Sequence, residues 1–115
     1  MASLVTMTST ARDDDDALRA AYSAAERRCR EEPDPTRAYQ RASSLRDDLD
    51  EFVGKAAELR AEMAFRLARE EGLSISQLAA RLGLSKPRAG QLVTTAKAVL
   101  ARRHAASLAP KEGEQ

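Results

Sequence analysis

The chain has 115 residues, of which 19 are Lys or Arg, 18 are Asp or Glu and only four are aromatic. This length fits one domain, or one small module with an extension. The scarcity of aromatic residues disfavours a β-sheet and favours an all-α fold. Because Cys29 is the only cysteine, an intramolecular disulfide and a Cys-based metal cluster are excluded.

The near-neutral net charge of +1 conceals an uneven distribution of charge along the chain. Residues 1–71 contain twelve Lys or Arg and sixteen Asp or Glu, whereas residues 72–110 contain six Lys or Arg and no acidic residue. A polyanion responds to local positive potential and not to the total charge of a protein. The basic stretch at residues 72–110 therefore indicates a surface that contacts nucleic acid.

The two ends of the chain are predicted to be disordered tails, residues 1–12 and 108–115, because they are small or polar and lack periodicity. The starting segment MASLVTMTSTA lacks the basic start and the sustained apolar run of a signal peptide. No stretch approaches the roughly 20 apolar residues of a membrane span. We expect a cytoplasmic protein, located at the nucleoid, with no membrane contact.

The region 13–71 is predicted to be an N-terminal helical hairpin. Helix one should run from about Asp13 to Glu32, with its four aspartates at the positive end of the helix dipole. Its apolar stripe consists of Leu18, Ala21, Tyr22, Ala25 and Cys29. Asp34 is a good N-cap and Pro35 suits the first position of helix two, which should continue to Glu71 and end at Gly72.

Helix two shows coiled-coil-like heptad spacing. The candidate residues for helix pairing or dimerisation are Leu45, Leu49, Phe52, Ala56, Leu59 and Met63. A parallel pair would set Lys55 against Arg60 of the other copy, whereas an antiparallel pair centred near Glu51 would set Arg41 against Glu62. This pattern predicts an antiparallel homodimer. The alternative is that the stripe packs only on helix one of the same chain.

Residues 72–107 carry the pattern of a helix-turn-helix. Ser74 and Gln77 form a capping box for a short helix that should end at Gly83, where a left-handed backbone permits a tight turn. Ser85 should cap the next helix, with Pro87 in its first turn. The inward-facing residues are predicted to be Leu78, Ala79, Leu82, Leu84, Ala89, Leu92, Val93, Ala96 and Leu100. No strand pair follows, so we predict a module without a wing.

The segment QLAARLGLSKPRAGQL, residues 77–92, resembles the helix-turn-helix of bacterial regulators, and is most similar to the versions in sigma-factor region 4 and in phage repressors. Small Ala79 and Gly83 four residues later carry this resemblance. The end of helix two, residues 60–69, would be the supporting helix. Sigma-like versions usually have charged residues where this chain has Pro87 and Gly90, and this departure argues against a sigma factor.

The resemblance implies a mode of DNA binding in which the second helix enters the major groove and the first crosses the backbone. Candidates for base contacts are Lys86, Pro87, Arg88, Gly90, Gln91 and Thr94. Candidates for contacts to the DNA backbone are Ser74, Ser76, Gln77, Arg81, Ser85, Lys97, Arg102 and Arg103. Arg102 and Arg103 are equally compatible with a solvated helix end.

Enzyme chemistry finds no support in the sequence. His104 is the only histidine, and there is no phosphate-binding glycine loop, nucleophile elbow or metal-ligand spacing. We therefore expect no catalytic residues, no metal and no cofactor. The predicted function is a sequence-specific DNA-binding regulator of transcription that binds double-stranded DNA as a homodimer. The alternatives are a helical adaptor that docks a protein partner, such as a polymerase, partition, plasmid or phage protein, and a non-specific nucleoid-associated binder.

Overall fold

The computed structural model describes the backbone of residues 2–108 and the side chains of residues 12–108. Within these residues the fold is all-α, with four helices and no strand. The helices are α1 (Ala2–Glu31), α2 (Pro35–Glu71), α3 (Ile75–Leu82) and α4 (Lys86–Leu108). The predicted all-α class is confirmed. None of the described helices is long and apolar enough to cross a membrane.

The junction between α1 and α2 lies where the sequence places it. Asp34 accepts a hydrogen bond on its side chain from Thr36 N at 3.3 Å, and Ala38 N donates to its carbonyl oxygen at 2.9 Å. Pro35 is the first residue of α2, where its missing N–H leaves no hydrogen bond unmade. At the other end of α2, Gly72 has a φ of 63°, which glycine adopts without strain.

The start of α1 differs from the start predicted for helix one. The helix begins at Ala2 and not near Asp13. No glycine or proline interrupts residues 1–31, and Ala, Leu and Met are good helix formers, so nothing in this segment ends the helix. At the other end, Leu108 is the last residue of α4, and the rest of the predicted C-terminal tail lies outside the described residues.

The chain divides into two units, Met1–Asp50 and Glu51–Gln115. In the first unit, side chains from α1 and α2, among them Tyr22, Cys29, Tyr39 and Leu45, line an open groove of about 590 Å³. The predicted stripe of α1 is only partly covered: Leu18 is 69% exposed, while Ala25 and Cys29 are half-buried. Among the side chains that the structure describes, every buried one belongs to the second unit.

The core of the second unit is formed where the end of α2 packs on α3 and α4. One cluster joins Ala61 and Ala64 of α2 to Leu92 and Ala96 of α4. The other joins Leu78 and Ala79 of α3 to Ala89 of α4, and is covered by Leu67, Ala68, Leu73 and Val93. The predicted burial of Leu78, Ala79, Ala89, Leu92 and Ala96 is confirmed. Alanines at these contacts allow the helix backbones to approach closely.

Two positions in this core differ from the prediction. Leu82 is 39% exposed and not buried, because it is the last residue of α3 and the chain turns away at Gly83. Leu84, just after the turn, packs against the cluster of Leu92 and Ala96 instead. Val99 is buried although the sequence assigned it no role, since it follows Ala96 by three residues on the inner face of α4.

Candidate nucleic-acid interface

The N-terminus of α3 is held by the predicted capping box. Ser74 Oγ accepts a hydrogen bond from Gln77 N at 3.2 Å, and Gln77 Oε1 accepts one from Ser74 N at 2.8 Å. Both residues and Ser76 are exposed. Ser74 and Gln77, predicted to contact a DNA backbone, are therefore at the surface but already bonded to each other. Ser76 has no such local partner among the hydrogen bonds of the described residues.

The turn between α3 and α4 sets the start of α4. Gly83 has φ 68° and ψ 35°, and its N–H points to the carbonyl oxygens of Ala79 and Ala80. Ser85 Oγ then accepts a hydrogen bond from Arg88 N at 3.2 Å, and Ser85 O accepts one from Ala89 N at 3.0 Å. Ser85 is thus the N-cap of α4, and the burial of Ala89 also holds the first turn in place.

The exposed side of α4 bears a row of polar and basic side chains, which we call the α4 polar face. It consists of Lys86, Arg88, Gln91, Thr94 and Thr95, all exposed. Pro87 is exposed beside them and Gly90 is half-buried. A Cβ built on Gly90 would meet no atom within 4 Å, so the backbone of α4 is open to close approach at that position. All six predicted base-contact residues belong to the same stretch of α4.

Three of the six cations in the basic stretch have glutamate partners on α2. Arg81 donates to both carboxylate oxygens of Glu71, at 2.8 and 2.9 Å. Two more pairs connect the far end of α4 to α2: Arg102 with Glu58 at 2.9 Å, and Arg103 with Glu62 at 2.6 and 3.4 Å. Residues 72–110 contain no acidic residue, but in the folded chain glutamates of α2 pair with three of their cations.

The Arg81–Glu71 pair changes the titration of both groups. The hydrogen bonds that Arg81 donates to Glu71 lower the pKa of Glu71 below its usual range and raise the pKa of Arg81. Both groups are exposed to solvent, so the pair contributes little to stability. Its main consequence is electrostatic, because it cancels the charge of one residue that was predicted to contact DNA.

The other three cations of the stretch remain available. Within residues 12–108, Lys86, Arg88 and Lys97 have no carboxylate within ion-pair distance. Two of the three belong to the α4 polar face. Arg81, Arg102 and Arg103, predicted as backbone contacts alongside Lys97, are exposed but bound to glutamates. Within residues 72–108 the unpaired cations are therefore all on the first half of α4.

Two residues near this face were missed by the sequence analysis. Arg60 of α2 and Thr95 of α4 line a groove of roughly 640 Å³ together with Pro87, Gln91 and Thr94. In the heptad pattern Arg60 is only a residue that flanks the stripe. It lines the same groove as Gln91 because Ala61 packs against α4, and this packing is not visible in the sequence. Thr95 could have been found from sequence, because it follows Gln91 by four residues on one helical face.

The predicted pairing residues of α2 do not form one buried stripe. Leu45 is half-buried and lines the groove of the first unit. Leu49, Phe52, Ala56, Leu59 and Met63 are exposed. The residues of α2 that enter the core of the second unit, Ala61 and Ala64, lie on another face of the helix. Within the described part of the chain, no three His, Cys, Asp or Glu side chains are arranged to hold a metal ion.

Comparison with known proteins assigns no family. No protein-family model, no curated protein and no solved structure matches the chain.

Proposed function

We propose that this protein is a sequence-specific DNA-binding regulator of transcription, acting at the nucleoid as a homodimer. In this proposal α3 and α4 form a helix-turn-helix supported by the end of α2, similar to those of bacterial regulators. The α4 polar face lies in the major groove of double-stranded DNA, and α3 crosses the backbone.

The observation that carries the proposal is the distribution of uncompensated charge. Arg81, Arg102 and Arg103 are neutralised by α2, so within residues 72–108 the unpaired cations are Lys86, Arg88 and Lys97. These residues flank exposed Gln91 and Thr94. Positive charge next to amide and hydroxyl groups on one helix face is suited to contact phosphates and base edges together.

Each of the predicted base-contact residues of α4 has a chemically defined role in this proposal. Gln91 can form two hydrogen bonds with the adenine edge, and Lys86 or Arg88 can bind guanine. Pro87 and the methyl group of Thr94 can contact a thymine methyl. Gly90 permits the helix backbone to approach the groove, since nothing occupies the space above it. Lys97, together with Ser76 and Ser85, is proposed to contact phosphates.

A protein adaptor is the second candidate, and the exposed apolar residues of α2 favour it. Phe52, Leu59 and Met63 are each about half exposed and would suit a protein partner. An adaptor, however, gives no reason for unpaired Lys86, Arg88 and Lys97 to flank exposed Gln91 and Thr94 on one helix. A non-specific nucleoid-associated binder would use the same cations and differs from a regulator only in its preference among sequences.

The test is the salt dependence of DNA binding, measured by fluorescence anisotropy with a labelled duplex selected for binding from a random library. Each phosphate contact contributes about −0.9 to the slope of log K against log salt concentration. If Lys86, Arg88 and Lys97 all contact phosphates, the slope is about −2.7 per protomer, and a cation that binds guanine instead makes it shallower by about 0.9; all six cations on phosphates would give about −5.4. Absence of binding, or binding that salt does not weaken, would contradict the proposal.

A matched competition separates the regulator from the nucleoid binder. The selected duplex is competed with a random duplex of equal length at one salt concentration. A regulator should prefer the selected site by at least about a thousandfold, and Gln91→Ala should reduce that ratio while leaving binding to random DNA nearly unchanged. Equal affinity for both duplexes would favour the nucleoid binder.

A further inference from the structure

Helix α2 has a second apolar face that the core of its own unit does not use. Phe52, Ala56, Leu59 and Met63 follow one another at spacings of four, three and four residues, which places them on one side of a helix. We call these four residues the α2 outer stripe. Phe52, Leu59 and Met63 are 54%, 56% and 44% exposed.

The outer stripe is separate from the face of α2 that packs on α3 and α4. Ala61 and Ala64 are buried against α4 and lie about 170° and about 110° from the centre of the stripe around the helix axis. Phe52, Leu59 and Met63 are therefore outside both core clusters, whereas Ala61, Ala64 and Leu67 belong to them or pack against them. A run of large apolar side chains along one exposed helix face is typical of an interface with another protein.

We propose that a second copy of this chain covers the outer stripe, with the two α2 helices antiparallel and centred between residues 57 and 58. In this register Phe52 packs on Met63 of the partner subunit, and Ala56 packs on Leu59 of the partner subunit. Ala56 is small and leaves room for Leu59 of the partner subunit. The side chains of the two copies are therefore complementary in size.

The charges that flank the stripe select the antiparallel orientation. A parallel dimer would place Lys55 beside Arg60 of the partner subunit on both sides, and the two cations would repel. The antiparallel dimer places Lys55 beside Glu62 of the partner subunit. Each such pair is worth only a few tenths of a kcal/mol when exposed, so charge determines orientation while the apolar layers drive association.

Burial of Leu45 disfavours a register centred near Glu51. That register would extend the stripe to Leu45, which is half-buried in the first unit and lines its groove. The flanking charges do not distinguish the two registers, because Arg41 contacts Glu32 at 3.5 Å, Lys55 contacts Glu51 at 3.1 Å, and Glu62 binds Arg103 through both carboxylate oxygens.

This inference rests on the homodimer of the proposed function, but its test contains no DNA, so its failure would leave DNA binding undecided. In a Cys29→Ser background, two full-length variants are made, Phe52→Cys and Met63→Cys, one carrying a mass tag. They are mixed and oxidised, and disulfide-linked dimers are resolved by mass. We expect the Phe52→Cys chain to cross-link to the Met63→Cys chain several-fold more than either cross-links to itself.

Three results of this experiment would overturn the proposed dimer. Predominant self-linking of Phe52→Cys would show a parallel pair. Stronger linking of Phe52→Cys to a Leu49→Cys chain would show the register centred near Glu51. Absence of cross-links, together with a monomer mass in sedimentation equilibrium, would show that no second copy covers the stripe.

A pair of surface substitutions gives an independent readout. Leu59→Gln removes an apolar layer, whereas Val53→Gln changes a residue of similar character that is 69% exposed on the same helix but off the stripe. Neither side chain is in the core, so both variants should retain native helicity by circular dichroism. Leu59→Gln should raise the dimer dissociation constant at least about tenfold, and Val53→Gln much less. Equal effects would contradict the register.

Discussion

The two ends of α4 have similar basic composition and opposite electrostatic surroundings. Residues 86–97 contain Lys86, Arg88 and Lys97, which have no carboxylate partner in the described structure. Residues 98–108 contain Arg102 and Arg103, which bind Glu58 and Glu62 of α2. The first end presents positive charge to solvent, and the second uses its charge to hold α4 against α2.

The difference shows that a count of charges along the sequence does not locate the positive potential of a folded protein. Residues 72–110 contain six basic residues and no acidic one. Three of those six cations are nevertheless paired with glutamates that precede the stretch in the chain. The candidate interface is therefore smaller than the basic stretch. The following substitutions test this contrast between the two ends of α4.

The largest effect is expected from removing the available cations. Lys86→Ala with Arg88→Ala should lower the affinity for duplex DNA on the order of 50-fold at 0.1 M salt and reduce the salt slope by about 1.8. The matched control is Arg102→Ala with Arg103→Ala, which should weaken binding less than about threefold. Fluorescence anisotropy over a salt series measures both. Equal losses would remove the distinction between the two ends.

A smaller effect, of opposite sign, is expected from releasing the paired arginines. Glu58→Gln with Glu62→Gln leaves Arg102 and Arg103 without carboxylate partners. Affinity should rise on the order of tenfold for any duplex sequence, with a slope steeper by up to about 1.8. Glu26→Gln, which frees Arg30 on α1, provides the control and should change little. A fall in affinity would contradict the proposed role of the glutamates.

Substitution of the two glycines inside helices, Gly54 and Gly90, distinguishes an effect on folding stability from an effect on DNA binding. Gly90→Ala and Gly54→Ala each add a Cβ that meets nothing within 4 Å, so each should stabilise the fold by about 0.5–1 kcal/mol. Only Gly90 belongs to the proposed DNA surface. Gly90→Ala should therefore weaken DNA binding several-fold, and Gly54→Ala should not. Urea unfolding and anisotropy give the two readouts, and unchanged binding by Gly90→Ala would argue against close approach there.

The smallest effect concerns the pH dependence of stability. Because Arg81 lowers the pKa of folded Glu71, the pair stabilises the fold above the pKa of the unfolded carboxyl, and this contribution is lost as pH falls through the lowered folded value. The stability difference between the wild type and Glu71→Gln should be small at pH 7 and disappear once the pH falls below the lowered pKa of folded Glu71. Urea unfolding at several pH values measures it. A difference that persists in acid would indicate a non-electrostatic cause.

The helix boundaries were largely readable from sequence because capping depends on residues only a few positions apart. Asp34 with Pro35, Ser74 with Gln77, Gly83 and Ser85 all occupy their predicted positions. The start of α1 at Ala2 was not predicted. The segment before Asp13 lacks apolar periodicity, and periodicity reports a buried face and not helicity itself.

The candidate interface was only partly predictable. The exposed residues of α4 follow from helical periodicity once the inner residues Ala89, Leu92 and Ala96 are recognised. The pairs Arg102–Glu58 and Arg103–Glu62 join residues 44 and 41 positions apart. No local pattern reveals such contacts, because they depend on how α4 packs on α2. The same packing brings Arg60 beside Gln91.

The most direct test of the central claim is an NMR titration of the ¹⁵N-labelled protein with a selected DNA duplex. The account predicts that the largest amide shift changes occur at residues 86–97, with smaller changes at the N-terminus of α3 near Ser76. Residues 98–108 should change little. Changes concentrated at residues 98–108, or no changes in α4 at saturating DNA, would contradict the assignment of the first half of α4 as the DNA-binding surface.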